Sequence, residues 1–199
     1  THVVLETTSH GLAQHRVTGC EYDLAVVTNI THEHLDYHGS YEGYRAAKGR
    51  LFQELEKTVQ KPFGNPRLAV LNADDQSYPF LDSLVKGPRL TYRLNQQADF
   101  YATGIQYSST GVRFLVNYDG GSIPVACALP GGYNVSNCLA AFAAAVRGVG
   151  VSPREAASGI AALQGVPGRM EFIDMGQDFL AIVDFAHTPN ALIRAIETA

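Results

Sequence analysis

The sequence predicts an α/β fold: a mainly parallel sheet flanked by helices, an added antiparallel β meander, and the start of a further α/β unit. Three observations lead there. Apolar runs at residues 2–7, 24–28 and 67–72 alternate with helical patterns, the arrangement that builds parallel sheets. Between residues 89 and 129 the texture changes to short β-rich segments separated by turn residues. After the break "GVPG" at 165–168, a new strand–strand–helix pattern begins.

Each element has its own local reason. "HVVLE", "LAVVT" and "RLAVLN" are apolar runs of strand length. Residues 40–59 carry Tyr41, Tyr44, Leu51, Phe52 and Leu55 at spacings of three and four, the apolar stripe of a surface helix. A shorter helix is expected over 77–85. "LTYRL", "DFYATGIQYS", "GVRFLVNYD" and "SIPVACAL" read as the strands of the meander, with Ser-Ser-Thr-Gly and Asp-Gly-Gly as hairpin turns. Helices follow at 133–148 and 153–163, the second opened by Ser152 as N-cap and Pro153 at the first helical position. Strands over 169–175 and 179–185 precede "NALIRAIETA", an amphipathic helix with no stop signal. With a strand already at residue 2, an excised segment is expected: residues 1–165 form one domain, and 166–199 begin another.

Composition narrows the class. The 199 residues, 46% hydrophobic and 17% charged, can bury a substantial core. A net charge of −4 without a run of Lys or Arg gives no footprint for nucleic acid or an anionic membrane. The longest apolar run, 138–146, is too short to span a bilayer. Cys20, Cys127 and Cys138 are odd in number and widely spaced, which fits reduced thiols in the cytoplasm better than a disulfide framework.

Four stretches carry candidate chemistry. "THEHLDYHG" places His32, His34, Asp36 and His38 at alternate positions after a strand, where open α/β sheets put their ligands. It reads either as a metal site or as a polar loop whose histidines cap the next helix. The binuclear zinc-hydrolase spacing His-x-His-x-Asp-His is not met, because His38 is displaced by one residue. Lys48 lies within the apolar stripe of the following helix. It is either a snorkelling side chain or a partly desolvated amine with a lowered pKa. Such an amine, near a divalent cation, combines with carbon dioxide to give an anionic carbamate. "LETTSHGLAQHRV" puts Glu6 at the end of a predicted buried strand, where a carboxylate is costly unless paired or metal-bound. Ser9, His10, Gln14 and Arg16 then offer donors for an anionic, carbonyl-rich ligand, or simply make a polar loop. "PGGYNVSN" is a Gly-rich entry to a helix, able to hold an anion or merely to turn. No GxxxxGK[ST] string occurs, so a phosphate cradle for ATP is expected outside these residues.

Taken together, "THVVLETTSHGLAQHRV", "TNITHEHLDYHGSYEGYRAAKGRLF", "GGYNVSNCLAAFAAA", "GVPGRMEFI" and "VDFAHTPNAL" resemble the Mur ligases, in the family's order and nearly end to end. The "SHGLxQxR" string resembles the branch that forms the muramoyl tripeptide. The resemblance implies a central ATP-binding domain lacking its P-loop segment, followed by the start of a C-terminal domain. The N-terminal and remaining C-terminal domains of the parent chain would be its partners. It implies an ATP-dependent ligase joining an amino acid, diaminopimelate or lysine, to UDP-MurNAc-L-Ala-D-Glu in peptidoglycan synthesis. It further implies that Glu6 and His34 hold Mg2+, and that Lys48 serves as a carbamate near the transferring phosphoryl group. Thr8, Gln14 and Arg16 would touch the muramoyl dipeptide. Asn134 and Asn137 would lie against adenine, and Arg169, Asp184 and His187 would reach the nucleotide from the C-terminal side. "ETTSHGL" has threonines where Val-Ser is usual in the family, and "THEH" replaces Thr-Arg-Asp-His, leaving His32 where an arginine is common. Folylpolyglutamate-synthetase-like and cyanophycin-synthetase-like ligases share the fold but not the "SHGLxQxR" string. A Mur-like nucleotide-binding protein without catalysis is the remaining alternative.

Overall fold

A computed structural model describes residues 2–31, 35–62 and 64–198, excepting the side chains of residues 35, 36, 190 and 194. Six strands form one sheet in chain order: β1 (Leu24–Val26), β2 (Leu68–Asn72), β3 (Arg89–Leu94), β4 (Phe100–Ser108), β5 (Gly111–Tyr118) and β6 (Gly121–Cys127). The first four run parallel, β5 returns antiparallel to β4, and β6 pairs antiparallel with β5. The helices are α1 (Ser9–Ala13), α2 (Leu35–His38), α3 (Tyr41–Lys57), α4 (Tyr78–Leu84), α5 (Gly132–Ala143) and α6 (Pro153–Ala161). A two-stranded antiparallel unit, β7 (Glu171–Ile173) with β8 (Ala181–Val183), and helix α7 (Pro189–Thr198) complete the described chain.

The unbroken apolar run of β2 follows from burial on both faces. Ala69 and Leu71 join Phe52 and Leu55 of α3 and Leu81 of α4 in one cluster. Leu68 and Val70 join the other, with Val135, Leu139 and Phe142 of α5, Phe100 of β4 and Val116 of β5. Ser40 starts α3 by accepting the Gly43 N–H at 3.0 Å. Ser152 starts α6 with a reciprocal cap: its Oγ accepts the Glu155 N–H, and Glu155 accepts the Ser152 N–H.

Tyr92 ties the sheet together. Its fully buried hydroxyl donates to the Val27 carbonyl of the β1 segment at 2.8 Å, and burial pushes the phenol's pKa up. Tyr92→Phe removes that bond from a buried carbonyl, so a loss of about 1–3 kcal/mol is expected in urea denaturation, with an unchanged slope.

Three expectations need correction. Residues 2–7 are not a strand: Val3, Val4 and Leu5 are exposed, and the segment pairs with no strand among the described residues. An apolar, β-branched run becomes a strand only where another ladder adjoins it. The meander loses its first member, because β3 pairs parallel with both β2 and β4. Only residues 95–99 connect β3 to β4. The Asp99 carboxylate closes this short return by accepting the Thr91 N–H at 2.7 Å, and Asn95 takes a left-handed φ of 56°. Finally, the helix expected over 133–148 ends its regular α turns at Ala143 and continues as a π-helical turn, Ala144–Val149.

Candidate functional site at the carboxyl ends of the parallel strands

The carboxyl ends of β1, β2 and β3 open onto a cavity of about 1390 Å³, closed on the far side by α5, α6 and the segment beyond residue 165. This is the crevice where open α/β sheets bind ligands. Its floor is "LNADD" at the end of β2, a signal that the sequence reading passed over. Asn72, nearly buried, donates to the Thr28 carbonyl at 2.6 Å and accepts the Asp74 N–H at 3.0 Å. Asp74 accepts the Leu94 N–H at 2.7 Å. Asp75 accepts the Ile30 N–H at 3.1 Å and the Ser77 N–H at 2.9 Å. These side chains lock the loops after β1, β2 and β3 to one another. A carboxylate-rich turn directly after an apolar strand was the available clue.

The helix α5 supplies one wall. Gly131, just before it, has φ of 97°, and a Cβ there would lie 2.7 Å from the Tyr133 ring, so the tight entry requires glycine. Within the first turns, the Asn134 amide donates to the Pro130 carbonyl at 2.7 Å, and Asn137 donates to Asn134 Oδ1 at 3.3 Å. The opposing wall comes from the β8 end. Asp184 accepts the N–H groups of Met170 (2.8 Å) and Ala186 (2.7 Å). His187 Nδ1 lies 3.0 Å from the Phe185 carbonyl, and the Arg169 guanidinium sits 5.3 Å from the Phe185 ring centre. The walls feel each other electrostatically. Burial pushes the Tyr133 phenol up, the Asp184 carboxylate adds to that shift, and Arg169 partly offsets it.

Six predicted residues therefore line one cavity: Glu6, Asn134, Asn137, Arg169, Asp184 and His187. Glu6 reaches it from an exposed, non-strand segment, so the expected cost of a carboxylate at a buried strand end does not arise. A second group gathers where α1, α2 and α3 meet. Thr8 caps α1 by accepting the Gly11 N–H at 3.0 Å. Gln14 donates to the Tyr37 hydroxyl at 3.1 Å, and His38 Nε2 lies 3.0 Å from Ser9 Oγ. Lys48 is half-buried on α3, its ammonium 5.9 Å from the Tyr44 ring centre. Arg16 is exposed, and its N–H closes the end of α1 on the Gly11 carbonyl at 2.9 Å.

His34, with His32, lies outside the described residues, and among those described no group of three or more His, Cys, Asp and Glu could hold a metal. The carboxylate of Glu6 suits a hard cation such as Mg2+. Lys48 suits one only as a carbamate, since its ammonium is itself a cation.

An open, mainly parallel sheet with a cleft at its strand ends, walled by a Gly-entered helix and a C-terminal hairpin, defines an α/β ligand-binding domain. A family profile described as the Mur ligase middle domain matches residues 1–145. The chain belongs to the Mur ligase family. It is 43% identical, over 196 residues, to a UDP-N-acetylmuramoyl-L-alanyl-D-glutamate–2,6-diaminopimelate ligase of Geobacillus kaustophilus (strain HTA426), covering 98% of this chain and 40% of that protein. It is 41% identical to a UDP-N-acetylmuramyl-tripeptide synthetase of Roseiflexus sp. (strain RS-1), covering 96% of this chain and 38% of the relative. A solved UDP-N-acetylmuramoyl-L-alanyl-D-glutamate–2,6-diaminopimelate ligase superposes with a TM-score of 0.79 at 37% identity, covering 98% of this chain and 39% of that one. The chain thus spans about 40% of the length of the curated relatives it matches.

Proposed function

We propose that these residues are the nucleotide-handling centre of an ATP-dependent ligase that adds an amino acid to UDP-MurNAc-L-Ala-D-Glu in the cytoplasm, during peptidoglycan synthesis. Diaminopimelate is the first amino acid to assay and lysine the second, because the relatives' names carry the former. Residues 1–165 form the central domain and 166–199 open the C-terminal one. The observation that carries the reading is the single cavity that gathers Glu6, Asn134, Asn137, Arg169, Asp184 and His187 from three distant stretches of chain.

The reaction has two stages. ATP phosphorylates the γ-carboxylate of the D-glutamate residue, and the incoming amine displaces phosphate from the acyl phosphate. Phosphoryl transfer depends on positioning and on neutralising oxygen charge more than on covalent help from side chains. Asn134 and Asn137 present amides to the adenine edge, and Arg169 and His187 bring donors to the ribose and phosphates. Glu6, His34 and Lys48 as a carbamate would hold Mg2+, which when bound neutralises charge on the phosphate oxygens. Thr8, Gln14 and Arg16 belong to the muramoyl-dipeptide side, where Arg16 offers a fork to a carboxylate.

The test is release of ADP by the full-length ligase with the muramoyl dipeptide. Release that depends on diaminopimelate or lysine supports the reading. Release that instead depends on a folate polyglutamate acceptor overturns it. The 199 residues alone are expected to give no turnover, because no phosphate-cradling loop of the GxxxxGK[ST] kind is among them.

A further inference from the structure

The cavity wall carries a pair of thiols that the ligase chemistry does not use. Cys127 ends β6 and Cys138 lies in α5, eleven residues later by number, yet the two side chains share one apolar cluster and each shifts the other's titration. Both are nearly buried in the same apolar cluster, and both line the cavity. Cys138 directly follows Asn137, and the Leu129 N–H donates to Cys127 Sγ at 3.4 Å. The third cysteine, Cys20, is exposed and far away in sequence.

We propose that Cys127 and Cys138 form a reversible intramolecular disulfide when a peroxide enters the cavity, making this wall an oxidation-sensitive site. The first step needs one thiolate and one reachable sulfur. The Cys138 thiol favours the Cys127 thiolate and so lowers the Cys127 pKa; burial opposes this, and the Leu129 N–H adds to it. Cys127, with burial, pushes Cys138 up, and the Leu129 N–H on Cys127 Sγ marks Cys127 as the attacking thiolate and Cys138 as the resolving thiol. Hydrogen peroxide takes two electrons from the pair. Cys127 first becomes a sulfenic acid with release of one water. The Cys138 sulfur then displaces its hydroxyl, forming the S–S bond and releasing a second water. A thiol reductant returns both protons and electrons.

Peptide mapping of the Cys20→Ser protein after stoichiometric hydrogen peroxide tests this. Trypsin leaves both cysteines in one peptide, residues 114–147, since no Lys or Arg lies between them. That peptide should become lighter by two hydrogens. Two free thiols per chain should disappear together, and dithiothreitol should restore both. Cleavage after Tyr133 should leave two pieces joined by the disulfide. Cys127→Ser and Cys138→Ser should each keep the remaining thiol from forming any intramolecular link, with unchanged circular dichroism. Persistence of both thiols, sulfinic acid on one cysteine alone, or links only between chains would overturn the proposal. None of these outcomes bears on nucleotide binding, so the ligase reading stands or falls separately.

Discussion

Lys48→Ala in the full-length ligase is expected to lower turnover about 10²–10³-fold, the cost typical of removing one charge stabiliser from a transition state. The informative comparison is Lys48→Arg. Arginine keeps the positive charge and the long stem but forms no carbamate. If Lys48 acts as an amine-derived anion, the arginine variant is as slow as the alanine variant. Added short carboxylate should then restore part of the alanine variant's activity by occupying the vacated space, with little effect on the arginine variant. If the side chain only packs against Tyr44, as its 5.9 Å approach to that ring also allows, Lys48→Arg keeps nearly full turnover. Steady-state ADP release with the muramoyl dipeptide decides between them.

The largest effect on stability is expected at Phe142. Its side chain is fully buried, with ring centres 6.0 Å from Phe100 and 6.1 Å from Tyr118, so it joins α5 to the middle of the sheet. Phe142→Ala removes that contact and leaves a cavity that close-packed neighbours fill poorly, at a cost of about 3–5 kcal/mol. Against a total of about 5–15 kcal/mol for a domain, this is a large share. For a chain of this size, it corresponds to a melting temperature lowered by roughly ten degrees. Leu192→Ala, on the exposed side of α7, should change stability by less than about 0.5 kcal/mol. A Phe142→Ala protein that melts with the parent would contradict the two-cluster core.

Much of this architecture is written in local patterns. The continuous apolar run of "LAVLN" announces a strand covered on both faces, and β2 is that strand. Ser40 and Ser152 mark helix starts because their hydroxyls satisfy the first free N–H groups, a purely local requirement. What depends on distant partners was harder to read. "HVVLE" has the composition of a strand, but a ladder is a property of two segments, and no described segment pairs with it. The direction of β3 is equally non-local. The short β-rich segments from residue 89 onward read as one antiparallel meander, whereas Asp99 and Asn95 fold a short parallel return between β3 and β4. In the candidate site, Asn134 and Asn137 stood out through the glycines before them and the family resemblance. Asn72, Asp74 and Asp75 were missed because their importance comes from where the strand ends, beside loops from β1 and β3. Lys48 was visible as a charge in an apolar stripe, and its half-buried position agrees with that spacing.

A crystal structure of the full-length ligase with a non-hydrolysable ATP analogue and Mg2+ is the most direct measurement. Adenine should lie against Asn134 and Asn137, with Arg169, Asp184 and His187 closing over the ribose and phosphates and Glu6 facing the metal. Nucleotide density in another cleft, with these six side chains facing only solvent, would contradict the account.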